Sequence, residues 1–280
     1  MSVKISLPVG LREEGAAPEA LSNAHTHTSL CDGQNTPAEM AAAAYEMGFK
    51  SLGFSGHSYC PAEDYGMKPP ALAAYCAEIR ALQEVYSGRM RIYLGLELDS
   101  LSEKPEEAFD YLIGSVHDVV AGDGRVWTVD ESPEKTAAGI LAFGGAENYW
   151  RGYFAGMEEM LERREVNIVG HFDLVCKYNA GGRFFDEGLA AYRELAERVL
   201  RRYCREYVFE INTGAMFRGY LQRPYPDYWL WEVLRQEGAW VMVNSDAHSV
   251  RGLAYGLAEM RRRAREFGLK LVDIDELLGK

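Results

Sequence analysis

Short apolar runs recur along this chain at helix-length intervals, and most of them end at a histidine or a carboxylate. A short run precedes His25, and the later runs cover residues 51–54, 91–94, 111–116, 166–170, 207–212 and 239–243. Such intervals are too long for hairpins and leave room for a helix, which is typical of β/α alternation. The pattern predicts an α/β fold with a parallel sheet, either closed or doubly wound. Because candidate ligands follow nearly every run, we favour a closed barrel of seven strands, whose carboxyl ends meet at one mouth.

Helical signals lie between these runs. We expect helices over residues 37–47, 70–86, 147–164, 187–202 and 227–237. Thr36 and Pro37 give the first helix a cap and a proline in its first turn. The segment from Asp118 to about Tyr149 is glycine-rich and shows no strand pattern, so we expect a long active-site loop over 118–149. Residues 1–20 lack periodicity and are expected to form a tail or a plug, and residues 1–280 form one domain.

The charge and the cysteine content limit the possible binding partners and the cellular compartment. The 42 acidic and 30 basic residues give a formal charge of −12, which disfavours nucleic acids and anionic membranes. The arginine cluster at 261–265 is better explained by a solvated helix face than by a phosphate-binding patch. Five cysteines without a Cys-x-x-Cys pair indicate free thiols. With no apolar run of membrane length and no signal peptide, we expect a cytoplasmic protein without a membrane partner.

The chemistry-bearing residues occupy equivalent positions at the ends of the runs. They are His25, His27, His57, His117, His171 and His248, with Glu97 and Asp246 in matching places. A single histidine or carboxylate of this kind is usually a satisfied core residue or a cap. Their concurrence favours a multinuclear site, and nitrogen and oxygen donors without thiolates suit zinc, manganese or iron.

The spacing within three of these motifs supports the same hypothesis. His25 and His27 are two residues apart, so on a strand both imidazoles face the same side. The same spacing relates Asp246 to His248, and His171 to Asp173. One such pair could equally be two polar residues of an ordinary loop. Three pairs with this spacing at three strand ends favour metal ligation.

Taken in order, the motifs resemble those of a known superfamily. They are His25-x-His27, Ser-Gly-His57, Gly-Leu-Glu97, Gly-Ser-Val-His117, Gly-His171-Phe-Asp and Ser-Asp246-Ala-His248. This set, over roughly residues 22–270, resembles the polymerase and histidinol phosphatase (PHP) superfamily, and within it the histidinol-phosphate phosphatases. The resemblance implies a distorted seven-stranded, TIM-like (β/α) barrel with up to three divalent metal ions.

The resemblance also implies a distribution of the ligands. The first metal would take His25, His27, Asp246 and one oxygen of Glu97; Glu97 would bridge to a second, held also by His117 and His171; the third would take Asp32, His57 and His248. A histidine often stands in the family where this chain has Asp32. Arg183 and Arg218 resemble the family's phosphate-binding arginines, and with Glu97, Asp246 and His248 they make up the expected catalytic set.

The implied activity is that of a hydrolase acting on phosphoric monoesters. We expect a metal-dependent phosphatase that hydrolyses L-histidinol phosphate, in histidine biosynthesis, by attack of a hydroxide that bridges two metals. The enzyme alternatives are another small phosphoester, a nucleotide or phosphotyrosine as substrate; the charge of −12 argues against a nuclease. A catalytically inactive metal-binding module is the remaining alternative, although three-ligand sets leave room for water. The sequence indicates no oligomeric state.

Overall fold

The computed structural model of the protein describes residues 21–61 and 63–280. The expected tail or plug over residues 1–20 lies outside these residues. Within them, no helix is long and apolar enough to cross a membrane.

The described residues form a parallel sheet that curls into a barrel. The strands are β1 (Ser22–Asn23), β2 (Ser51–Phe54), β3 (Arg91–Asp99), β4 (Tyr111–Ser115), β5 (Asp118–Val120), β6 (Val126–Thr128), β7 (Ile168–Val169), β8 (Val208–Asn212), β9 (Trp240–Asn244) and β10 (Lys270–Leu271). Eight of them pair in parallel in the order β1-β2-β3-β4-β7-β8-β9-β10. All seven runs predicted from the sequence are therefore strands of one sheet.

A backbone bridge connects the segments that follow β1 and β9 and closes the sheet. Thr26, just after β1, pairs with Ala247, just after β9. The His27 amide donates to the Ala247 carbonyl at 2.9 Å, and the Ala247 amide donates to the His25 carbonyl at 3.2 Å. The closed arrangement is thus confirmed over the doubly wound one. The short β10, which the sequence analysis did not predict, adds to the start of β9.

Helices follow most strands and cover the outside of the sheet. Those in the described part of the chain are α1 (Pro37–Glu46), α2 (Pro69–Val85), α3 (Pro133–Ala142), α4 (Ala146–Glu162), α5 (Ala190–Tyr203), α6 (Gly214–Arg218), α7 (Tyr228–Glu237), α8 (Leu257–Phe267) and α9 (Ile274–Leu277). The predicted cap of α1 is present as a capping box, because the Thr36 side chain accepts from the Glu39 amide and the Glu39 carboxylate accepts from the Thr36 amide.

The segment from Asp118 to Tyr149 corrects one expectation, since it contains regular structure. Strands β5 and β6 pair as an antiparallel hairpin whose turn includes Gly124 at φ +81°, and α3 follows. Each strand of the hairpin has three residues, too few for an alternating pattern to emerge. Helix α3 does have a signal in the sequence, because Ser132 caps it and Pro133 stands in its first turn.

The interior of the barrel consists of an apolar floor beneath a polar layer. Side chains alternate between the two faces of a strand, so in β8 Val208, Glu210 and Asn212 share one face. Val208 belongs to a buried cluster with Tyr93 and Tyr111, which forms the floor. The more carboxyl-terminal positions on these inward faces are polar and buried. The polar groups at the mouth therefore lie on an apolar layer and are shielded from solvent.

Candidate metal centre

Four of the predicted ligands aim their side chains at a common point. The His25 Nε2 atom lies 3.3 Å from Glu97 Oε2 and 3.7 Å from Asp246 Oδ1. The His27 Nε2 atom lies 3.5 Å and 3.2 Å from the same two oxygens. Two imidazole nitrogens and two carboxylate oxygens thus face one small space, and His25, His27 and Glu97 approach one another closely enough to hold a metal ion.

The other oxygen of Glu97 faces a second group. Glu97 Oε1 lies 2.9 Å from His171 Nε2 and 3.4 Å from His117 Nε2. One carboxylate therefore contacts two separate histidine pairs, which is the geometry required of a bridging ligand.

A third group lies on the outer side of the mouth. Asp32 Oδ2 is 3.0 Å from His248 Nε2 and 3.6 Å from His57 Nε2. It connects with the first two groups, since Asp32 Oδ1 is 3.2 Å from His27 Nδ1 and His57 Nδ1 is 3.0 Å from Glu97 Oε2. The structure thus brings all nine expected metal-ligand side chains into one cluster.

Strand geometry explains this convergence. β3 carries Glu97 near its end, and the histidines follow the ends of the strands around the mouth. Asp246 stands just beyond β9 with φ +50°, a conformation that few residues other than glycine adopt. Strain of this kind is retained mainly at functional positions, and here it turns the carboxylate towards His25 and His27.

The chemistry of these donors fits bound cations. The buried atoms His25 Nε2, His27 Nε2, His57 Nδ1 and Glu97 Oε2 have no hydrogen-bond partner among the described residues. Leaving buried polar atoms unpaired is costly, so their convergence indicates a site for an electrophile. Imidazole and carboxylate donors suit zinc and other divalent transition metals.

The pKa values reveal a strongly negative environment. Burial alone would lower the pKa of His25, but the Glu210 and Glu97 carboxylates raise it to about 10. The pKa of His57 is likewise raised, against burial, to about 9 by Glu97 and Asp32. The carboxylates therefore stabilise positive charge at this mouth, which divalent cations also supply.

A second layer of polar residues, not predicted as functional from the sequence, orients the first. Glu210 Oε1 lies 2.7 Å from His25 Nδ1, and Asp99 Oδ2 lies 3.1 Å from His117 Nδ1. The Ser115 hydroxyl donates to the bridging Glu97 at 2.6 Å. Such contacts fix the tautomer and orientation of metal-binding histidines. The available signal was Glu210 itself, a carboxylate inside an apolar run.

Of the two predicted phosphate-binding arginines, the structure places one in the pocket. The Arg218 Nη2 atom donates to Asp246 Oδ2 at 2.9 Å, and Nη1 lies 3.1 Å from His248 Nδ1. Arg183 is exposed, its guanidinium lies over the ring of Phe184, and it does not line the pocket.

Lys177, which was not predicted from the sequence, is a further cation of the pocket lining and is 9% exposed. Its ammonium donates to the Asp130 carbonyl at 2.8 Å and contacts the Asp130 carboxylate at 3.3 Å.

Asp173, which has the two-residue spacing from His171, turns away from the ligands and pairs with Arg223 at 3.1 Å. Spacing alone did not distinguish this ion pair from a ligand.

Seven of the nine candidate ligands line an open pocket of about 400 Å³, whereas His25 and His27 are fully buried and do not line it. Besides candidate ligands and the two cations, its walls comprise Gln34, Glu63, Tyr65, Thr128, Asp130, Glu131 and Leu174. The hairpin and α3 segment therefore flanks the mouth through Thr128, Asp130 and Glu131. A larger cavity of about 760 Å³ involves residues 104–112 and contains none of the candidate ligands.

A parallel β/α barrel with a cluster of nitrogen and oxygen donors at its mouth defines a class of metal-binding barrel proteins. The sequence model of the PHP domain matches residues 23–214, more than half of the chain. The chain belongs to the PHP domain family.

Curated relatives with sequence similarity share one name. A probable histidinol-phosphatase of Deinococcus radiodurans is 29% identical over 90% of this chain and 95% of the relative. One from Schizosaccharomyces pombe is 26% identical over 85% and 84%, and the histidinol-phosphatase of Bacillus subtilis is 25% identical over 82% and 94%.

Solved structures show the same fold. A putative histidinol phosphatase from Listeria monocytogenes superposes with a TM-score of 0.71 at 20% identity, covering 85% of this chain and 98% of that chain. Histidinol phosphate phosphatase from Lactococcus lactis, complexed with zinc, L-histidinol and phosphate, has a TM-score of 0.67 at 21% identity and covers 89% and 94%.

Proposed function

We propose that the protein is a metal-dependent phosphomonoesterase that hydrolyses L-histidinol phosphate to L-histidinol and phosphate. The observation that carries this proposal is the clustering of nine histidine, aspartate and glutamate side chains, seven of which line a pocket that also presents Arg218 and Lys177. The names of the curated relatives, and the zinc, histidinol and phosphate bound by the Lactococcus protein, support the same reaction.

The proposed metal centre holds three cations, and zinc, manganese and iron all suit its donors. The proposed ligands are His25, His27, Asp246 and Glu97 for the first, Glu97, His117 and His171 for the second, and Asp32, His57 and His248 for the third. Divalent cations bound there would act as Lewis acids towards phosphoryl oxygens and would lower the pKa of water, which makes hydroxide available near neutral pH.

The side chains at the rim are assigned the binding of the phosphoryl group. Arg218 is fixed by Asp246 and His248, and its buried Nε has no hydrogen-bond partner among the described residues. A guanidinium held in one plane offers paired N–H donors that match two phosphate oxygens. Lys177, a compact positive charge in the same pocket, takes the place that Arg183 had in the sequence-based expectation. Both charges stabilise the negative charge that develops on phosphoryl oxygens.

The remaining wall of the pocket favours a substrate with a positive organic part. Glu63, Asp130 and Glu131 line it together with Tyr65. Asp130 is paired with Lys177 at 3.3 Å and Glu131 with the exposed Lys135 at 3.6 Å, which leaves Glu63 without an ion-pair partner among the described residues. L-Histidinol carries an ammonium group and an imidazole, and both are attracted by carboxylates. A nucleotide would instead bring further phosphate charge or a neutral base against them.

The test combines elemental analysis of the purified protein with phosphate release from a panel of phosphoesters. We expect bound transition metal and a kcat/KM for L-histidinol phosphate well above those for phosphotyrosine and nucleoside monophosphates. Preference for another ester would refute the substrate and keep the phosphatase. A metal-loaded, folded protein that releases phosphate from none of them would refute the enzyme class.

A further inference from the structure

Glu210 is fully buried and belongs to none of the three proposed ligand sets, yet it accepts four hydrogen bonds. Its Oε1 atom lies 2.7 Å from His25 Nδ1 and 3.0 Å from Asn244 Nδ2. Its Oε2 atom lies 2.9 Å from the His171 amide nitrogen and 2.8 Å from Asn212 Nδ2. A carboxylate has about four lone-pair directions, and all are engaged here.

These four partners have little freedom to change role. The Oδ1 atom of Asn244 accepts from the Ala24 amide at 2.8 Å, and that of Asn212 accepts from the Gly214 amide at 2.8 Å. Turning either carboxamide over would leave a buried backbone N–H unpaired, which is costly. The donor of His171 is a backbone amide and has no other role. The position therefore requires a group that accepts at every point, as an ionised carboxylate does.

We propose that Glu210 is a positioning residue that couples the first two metal sites. By accepting from Nδ1 it holds His25 in the tautomer that leaves Nε2 bare, 3.3 Å from Glu97 Oε2. By accepting from the His171 amide it fixes the backbone that carries the imidazole 2.9 Å from Glu97 Oε1. One buried carboxylate thus orients a ligand on each side of the bridge. The inference rests on the proposed metal centre and not on the identity of the substrate.

The variant Glu210→Gln tests this role because it keeps the shape and replaces one oxygen by an NH₂ group. If that group faces His25, the imidazole must take the opposite tautomer, and a hydrogen then occupies the Nε2 position. If it faces the His171 amide, two donors oppose each other and the second site is displaced. In either orientation the NH₂ group faces two donors, so the whole side chain is displaced and the contact on its other side is weakened as well. We expect the first two cations to bind about 10- to 100-fold more weakly, and the Asp32, His57 and His248 set to keep its affinity.

Asp99→Asn is the matched control. Asp99 accepts from the amide and lies beside Nδ1 of His117, at 3.2 Å and 3.1 Å, so among the proposed ligands it orients this one. Metal-stripped proteins would be titrated with Zn²⁺ against a chromophoric chelator, with circular dichroism as the check on folding. Two weakened steps for Glu210→Gln and one for Asp99→Asn are expected. A folded Glu210→Gln protein with one weakened step, or none, would overturn the coupling.

A measurement without a variant decides the matter if Glu210→Gln does not fold. In the zinc-loaded wild-type protein, ¹⁵N NMR of the imidazoles should show His25 protonated at Nδ1. A proton-free Nδ1 overturns the proposal. A wild-type protein that binds no zinc overturns this inference together with the metal centre. A zinc-loaded protein that leaves L-histidinol phosphate intact refutes the proposed function alone, because both readouts are independent of turnover.

Discussion

Replacing Arg218 with alanine should weaken the recognition of phosphate by about 100-fold. The guanidinium already donates to the Asp246 carboxylate, the Asp246 carbonyl and the His248 side chain. Its side chain is 24% exposed and its Nε has no hydrogen-bond partner among the described residues, so we assign one two-point contact with a phosphoryl group to it. Two charge-assisted hydrogen bonds, at about 1.5–3 kcal/mol each and not fully additive, give a loss of about 3 kcal/mol. At about 1.4 kcal/mol per tenfold change, this corresponds to about 100-fold in kcat/KM.

The assay compares kcat/KM for L-histidinol phosphate and the inhibition constant of inorganic phosphate in wild type and three variants. Arg218→Ala should raise both KM and the phosphate inhibition constant. Arg218→Lys keeps a point charge without the paired donors, so we expect an intermediate loss of about tenfold. Arg183→Ala is the control, because Arg183 is exposed and outside the pocket lining. Equal phosphate inhibition in wild type and Arg218→Ala, at equal metal content, would remove Arg218 from the phosphate site.

Four further outcomes are expected. Glu97→Gln should abolish turnover and weaken the binding of the first two cations, with unchanged circular dichroism. A folded variant with normal metal content would refute the bridging role. Glu63→Gln should raise KM for L-histidinol phosphate and leave that for p-nitrophenyl phosphate unchanged, and a parallel change in both would show that Glu63 does not contact the organic part. Metal binding should release protons near pH 7, because the pKa values of His25 and His57 are raised to about 10 and about 9 in the metal-free protein. Calorimetry in buffers of different ionisation enthalpy measures this proton release. Metal binding without proton release would contradict the raised pKa values. The same two histidines stabilise the metal-free fold below about pH 6.5, and this contribution is lost as the pH rises towards 10. The Tm of the metal-free protein should therefore fall over this interval. A Tm that does not change with pH would contradict the pairing of charged His25 and His57 with the buried carboxylates.

The sequence predicted the barrel and the ligand cluster because both follow from local patterns. An apolar run that ends at a histidine indicates where a strand ends, and parallel pairing brings the carboxyl ends of the strands together. What could not be predicted depends on neighbours across strands. Nothing near Glu210 in the chain reveals that His25 lies 2.7 Å from it. The family resemblance implied a phosphate-binding role for Arg183, whereas Lys177, in the turn after β7, lines the pocket and Arg183 does not.

The two layers of the barrel interior explain why this site needs positive charge. Glu97, Glu210 and Asp246 are buried above an apolar floor, where an uncompensated carboxylate is strongly destabilising. Without metal, protons on the surrounding histidines supply the compensating charge, as the raised pKa values of His25 and His57 indicate. Bound divalent cations would supply more charge at the same positions and would leave the imidazoles neutral. The mouth of a protein with a net charge of −12 would then become positive enough to attract a phosphate dianion. In the proposed function, metal binding and phosphate recognition are therefore two consequences of the same buried carboxylates.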